Sequence, residues 1–71
     1  MDSRDIYFNL DQERRRRRIT IKEMAARCGI SERTWTGYKA KPGNLTIGTI
    51  EKAANVMMIP MIELMKGRRR L

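Results

Sequence analysis

The chain has 71 residues, with 16 Lys plus Arg against 8 Asp plus Glu, and its formal charge of +8 is enough to attract a polyanion. That length holds one domain, residues 1–71, close to the roughly 55 to 65 residues at which a small core still folds unaided; with Cys28 alone and no histidine, neither a disulfide nor a zinc site forms within it, so no metal or cofactor is implied. No segment approaches the roughly 18 apolar residues of a membrane span, and the lone thiol with no apolar leader predicts a soluble cytoplasmic protein without a membrane partner.

A first helix is predicted over most of the first twenty residues. Its start is open: Asn9 is one candidate N-cap, with Gln12 reaching back, and Ser3 or Asp5 is an earlier one that would put Ile6 and Leu10 on a common face. Asp11 with Arg15 and Glu13 with Arg17 are i, i+4 pairs in the favourable order, each contributing about 0.2 to 0.5 kcal/mol. Thr20 caps a second helix whose apolar stripe is Ile21, Met24, Ala25 and Cys28; Gly29 ends it and Ile30 turns inward. Ser31 caps a third helix, in which Trp35 and Tyr38 share one face as core residues rather than as stacking platforms for bases.

Lys41, Pro42, Gly43 and Asn44 are turn chemistry. Thr46 then caps a fourth helix with Ile47, Ile50, Ala54 and Met57 on its buried stripe, ending near Met58 or Ile59. Pro60 suits the first turn of a fifth helix, with Met61, Leu64 and Met65 inward, Gly67 as its stop and residues 68–71 as a basic tail. No strand alternation or internal repeat is present, so the predicted fold is all-α with five helices. Cys28 shares its stripe with Met24 and Ala25, which makes it a buried inert thiol, and no residue set predicts catalysis.

Residues 20–39 carry the functional signal: a short helix, a glycine turn, and a helix opening on serine. Two helices joined this tightly cross steeply, which favours a small residue such as Ala25 at the crossing and leaves the outer face of the second free to enter a major groove. The string Thr20-Ile21-Lys22-Glu23-Met24-Ala25-Ala26-Arg27-Cys28-Gly29-Ile30-Ser31, then Arg33-Thr34-Trp35, and later Thr46-Ile47-Gly48-Thr49-Ile50-Glu51-Lys52-Ala53-Ala54, resembles the lambda-repressor-like and Cro-like helix-turn-helix family of bacteria and phages. The likeness runs over residues 10–66, and the ending around Pro60 and Leu64 is similar to the short last helix of compact phage members. The resemblance implies a compact five-helix lambda-repressor-like domain, acting in a bacterial host as a repressor or Cro-like switch. Three positions depart from the family: Ile21 stands where many members carry a phosphate-binding Gln, Trp35 is bulkier than the usual aliphatic residue, and Gly37 interrupts the recognition helix.

On this reading Arg33, in the first turn of the recognition helix, matches the O6/N7 edge of guanine, Glu32 accepts from a cytosine amine, and Thr36 meets a thymine methyl or a phosphate. Gly37 either permits close approach to the bases or weakens the helix by roughly 0.8 to 1 kcal/mol. Phosphate contacts are assigned to Arg17, Arg18, Thr20, Lys22, Arg27, Ser31, Lys39, Lys41 and Asn44, while Arg14 is structural and residues 68–70 supplement affinity without sequence choice. The partner is then double-stranded DNA, and a homodimer through the methionine-rich last two helices would prefer a palindromic operator, its recognition helices about 34 Å apart. Two other classes compete: an antitoxin-like or adaptor module that uses the same apolar surplus to hold a protein, and an arginine-rich RNA binder built on residues 14–18.

Overall fold

The structure, a computed structural model, describes residues 2–67, so the basic tail at 68–70 lies outside the described residues. Five helices follow one another: α1 (Ser3–Arg16), α2 (Ile21–Cys28), α3 (Glu32–Gly37), α4 (Ile47–Met57) and α5 (Met61–Leu64), with a 3-10 turn at Pro42–Asn44 between α3 and α4. No strand occurs among the described residues, as an all-α sequence predicts.

The N-terminal cap of α1 is Asp2, whose carboxylate accepts the amide of Arg4 at 2.9 Å, one residue earlier than the earliest start anticipated and seven before Asn9. The early start puts Ile6 and Leu10 on the buried face. Asn9, far from capping, is buried in mid-helix, where its side-chain amide donates to the carbonyls of Leu64 at 3.0 Å and Gly67 at 2.7 Å. Those two orphan carbonyls at the end of α5 would otherwise face the interior unpaired, so one asparagine fastens the last helix to the first.

Helices α1, α2 and α4 end in the same way. Arg18, Gly29 and Met58 take left-handed backbone, with φ of 57°, 71° and 55°, and the next amide bonds back five residues: Ile19 to Arg14, Ile30 to Ala25, Ile59 to Ala54. Each of these isoleucines is then half-buried against the core, the apolar contact that accompanies this helix ending. Threonine or serine recaps the chain twice immediately afterwards. Thr20 accepts the amide of Glu23 and Ser31 that of Thr34, and Thr46 does the same for Thr49 before α4. Reversal, apolar anchor and cap occupy three residues at 18–20 and again at 29–31, which is why two helices can follow α1 with almost no loop.

The core gathers Leu10, Met24, Trp35, Met57 and Leu64, all fully buried, with Ala25, Cys28, Ala53 and Ala54 at the close approaches. Helix α2 packs on α3 and α4, and α1 crosses behind them against α4, α5 and the 3-10 turn. One stripe residue is a correction: Ile47 is 51 % exposed, and Thr49 and Ala53 join Ile50, Ala54 and Met57 on the buried side of α4. Helical side chains lean toward the N-terminus, so the first residue of α4 reaches off the end of the helix rather than down onto the core. Pro60 stands just before α5 rather than within it, and Leu64 faces inward with Met61 and Met65 half-buried beside it.

Candidate nucleic-acid interface

The geometry of the site begins with how α3 is held. Of its six residues only Trp35 is buried; Glu32, Arg33, Thr34, Thr36 and Gly37 are all exposed. Tyr38, the next residue, is also buried, and Tyr7 of α1 meets both rings, with centroids 5.8 Å from Trp35 and 6.1 Å from Tyr38. Tilted and edge-on aromatic contacts of this kind supply large apolar area with a defined orientation. The indole N–H donates to Asp11 Oδ1 at 3.2 Å, the same oxygen that accepts Arg14 Nε at 2.9 Å. Arg14, itself buried, donates a second bond to the carbonyl of Ile19 at 2.8 Å, just ahead of the α2 cap. Asp11 and Arg14 therefore join α1, the entry to α2 and α3. The sequence treated Asp11 only as a partner for Arg15, which it also is, at 3.1 Å; nothing in its spacing announces the bond to Trp35, twenty-four residues on.

The chain leaving α3 winds out through a 3-10-like stretch, with Tyr38, Lys39 and Ala40 bonded three residues back, so Lys39 sits just beyond the α-helix and Lys41 and Asn44 in the following turn. All three are exposed. At Thr36 the hydroxyl donates to the carbonyls of Glu32 and Arg33, both at 3.1 Å, which leaves its methyl rather than its proton for an outside partner. A methyl group added at Gly37 would meet nothing within 4 Å, so the free protein has no packing reason for glycine there.

The cations divide sharply. Asp11 pairs with Arg14 and Arg15, Glu13 pairs with Arg16 and Arg17 at 2.9 Å each, and Glu23 pairs with Arg27 at 3.2 Å. Arg18, Lys22, Arg33, Lys39 and Lys41 have no ion pair among the described residues. Of the nine phosphate candidates, Arg17 and Arg27 thus hold a carboxylate, Thr20 and Ser31 accept cap bonds, and the lysines, Arg18 and Asn44 remain open. Lys52 of α4 escaped the sequence reading. Its Nζ lies 3.9 Å from where a Cβ on Gly29 would be, beside the α2–α3 turn and unpaired among the described residues. Only the packing of α4 on α2 brings it there, although its place off the buried stripe marks it as outward-facing.

Burial pushes the Cys28 thiol up from its ordinary range, with the Lys52 charge pulling the other way, which agrees with an inert thiol. Tyr7 is also raised, first by burial, then by Asp11, against the lowering effect of Arg14 and Arg15. No group of three or more His, Cys, Asp or Glu that could hold a metal ion occurs among the described residues, and no described helix is long and apolar enough to cross a membrane.

Neither the curated proteins nor the solved structures compared with this chain give a match. The family model of the Cro/C1-type helix-turn-helix DNA-binding domain matches residues 9–66, which takes in all of the helix-turn-helix pair, α4 and α5. The chain belongs to the Cro/C1-type helix-turn-helix DNA-binding family.

Proposed function

We propose that the protein is a sequence-specific transcription regulator, repressor-like or Cro-like, that lays α3 in the major groove of an operator in the cytoplasm of a bacterial host. The observation that carries this reading is the division of α3: Trp35 is its one buried residue, every other residue is exposed, and Arg33 stands in the first turn with no ion pair among the described residues. Arg33 reads guanine, Glu32 accepts from a neighbouring cytosine, and Thr36 presents its methyl to thymine. Gly37 lets the backbone approach the base edges. Phosphates are held by Arg18, Lys22, Lys39, Lys41 and Asn44, with the free hydroxyl proton of Thr20 beside them, and Lys52 extends this cationic border at the α2–α3 turn. Ser31, Arg17 and Arg27 contact phosphate only by sharing the bonds they already make.

A dimer on a palindromic site is supported by one further observation: Met58 and Ile62, at the α4–α5 junction and in α5, are 88 % and 61 % exposed. The surplus that remains after folding is narrower than composition implied, because Met57 and Leu64 are fully buried. The deciding experiment is selection of bound duplexes from a randomised library at about 150 mM salt, where nonspecific electrostatic binding is weak. A recovered palindrome supports a dimeric regulator and a single short motif a monomer. Recovery of no motif overturns sequence-specific reading and leaves the protein-interaction module.

A further inference from the structure

On the side of α1 away from α5, a half-open groove of about 510 Å³ runs between that helix and the chain leaving α3. Tyr7, Phe8, Tyr38 and Pro42 give it apolar and aromatic walls. Arg4, Arg15 and Lys39 bring positive charge to the same lining. Arg15 is balanced by Asp11, whose oxygens are also occupied by Arg14 and Trp35, whereas Arg4 and Lys39 have no ion pair among the described residues. The groove is therefore net cationic over an aromatic floor. Gln12 adds a polar side chain to the same lining.

We infer that this groove is a binding site for a small aromatic acid: a planar ring against Tyr7, Phe8 and Tyr38, and an anionic group taken by Arg4 and Lys39. The volume falls within the roughly 300 to 1,000 Å³ of small-molecule sites, while a stable protein partner needs about 800 Å² from each side, more than this cleft presents. Lys39 serves two purposes here. It lines the groove and belongs to the segment assigned to DNA phosphate, so a bound anion withdraws one phosphate contact and weakens operator binding; this coupling rests on the proposed function, whereas the site itself does not.

The test is an amide NMR titration of the full chain, without DNA, with 4-hydroxybenzoate as the probe and phenol and acetate as partial mimics. The expected result is a saturable shift centred on Tyr7, Gln12, Tyr38 and Lys39, at least about tenfold tighter for the aromatic acid than for either mimic, the worth of one charge-assisted hydrogen bond. Arg4→Gln weakens it by a similar factor, as Arg4 is not among the DNA contacts. No saturation, equal binding of phenol, or an unaffected Arg4→Gln overturns the site. With the probe at saturation, DNA affinity falls and the slope of log affinity against log salt shrinks by about one. A saturable site with unchanged DNA affinity overturns the coupling alone, and a failed operator selection with the site intact tells against the proposed function instead.

Discussion

Removing the Asp11 carboxylate tests whether the recognition helix is held by the bond that reaches it from α1. In Asp11→Ala the indole N–H of the fully buried Trp35 loses its acceptor, a loss of roughly 1 to 3 kcal/mol, and the buried Arg14 loses a charge-assisted bond of roughly 1.5 to 3 kcal/mol. Both donors share one oxygen, so the two terms overlap and a total of about 3 kcal/mol is expected rather than their sum. Arg15, 72 % exposed in its side chain, adds almost nothing, as surface pairs contribute about 0 to 1 kcal/mol. For a domain of this size the deficit lowers the melting temperature by about 12 to 24 °C. The assay is thermal unfolding followed by the fluorescence of Trp35, the chain's single tryptophan. Asp11→Asn keeps an oxygen for the indole and should lose about 1 kcal/mol, and Arg15→Ala less than that. If Asp11→Ala destabilises no more than Arg15→Ala does, the bond from α1 does not hold α3 and the reasoning fails.

Four further outcomes are expected. Arg33→Ala should lower affinity for the selected site by about 1 to 3 kcal/mol and relax preference at one base pair, while Lys41→Ala weakens all sequences alike and reduces the salt slope by about one; quantitative binding to a panel of duplexes separates the two. Gly37→Ala should raise stability by about 0.5 to 1 kcal/mol, because the added methyl meets nothing, and should lower operator affinity; denaturant unfolding and a binding isotherm on one preparation measure both. Arg18→Gly should stabilise the fold by about 1 kcal/mol in denaturant unfolding by relieving its left-handed backbone, and lower the salt slope as a cation is lost. The raised Cys28 and Tyr7 groups keep their protons in the folded state after the unfolded chain has lost them, so stability declines as pH climbs from about 8.5 for the thiol and only from about 10 for the phenol, by at most about 1.4 kcal/mol per unit for each group. Urea midpoints between pH 7 and 10 follow this, and Cys28→Ala flattens the first part of the decline.

Where local chemistry decides structure, the sequence was readable. Thr20, Ser31 and Thr46 cap as their residue type and position predict, Gly29 reverses the chain, and Trp35 and Tyr38 go inward at helical spacing. The misses share a cause. Arg18 and Met58 do at the ends of α1 and α4 what Gly29 does at the end of α2, but a left-handed residue with a side chain leaves no mark in composition, so only tertiary contacts from Ile19 and Ile59 hold it there. Asn9 and Asp11 look like cap and surface chemistry. Their actual partners, Leu64, Gly67 and Trp35, are brought to them by packing across the whole chain. The exposed face of α3 lay within reach of pattern because the helix is short and bears one anchor, whereas which cations stay unpaired depends on the ion pairs, which a sequence does not display.

Those ion pairs change what a charge of +8 means. The densest cationic run, residues 14–18, is the obvious polyanion site by composition, and four of its five arginines share only two carboxylates, Asp11 and Glu13, so it keeps an excess of positive charge while holding most of its guanidinium groups in ion pairs. A paired arginine must give up or share its carboxylate to meet a phosphate, so its contribution to counterion release is reduced. The cations left unpaired among the described residues include Lys22 on α2, Arg33 on α3, and Lys39 and Lys41 on the segment that follows, together with Lys52 against the α2–α3 turn. The helix-turn-helix pair and the segment after it thus offer cations with no carboxylate to give up, whereas four arginines of the run must share Asp11 and Glu13 with any phosphate they meet.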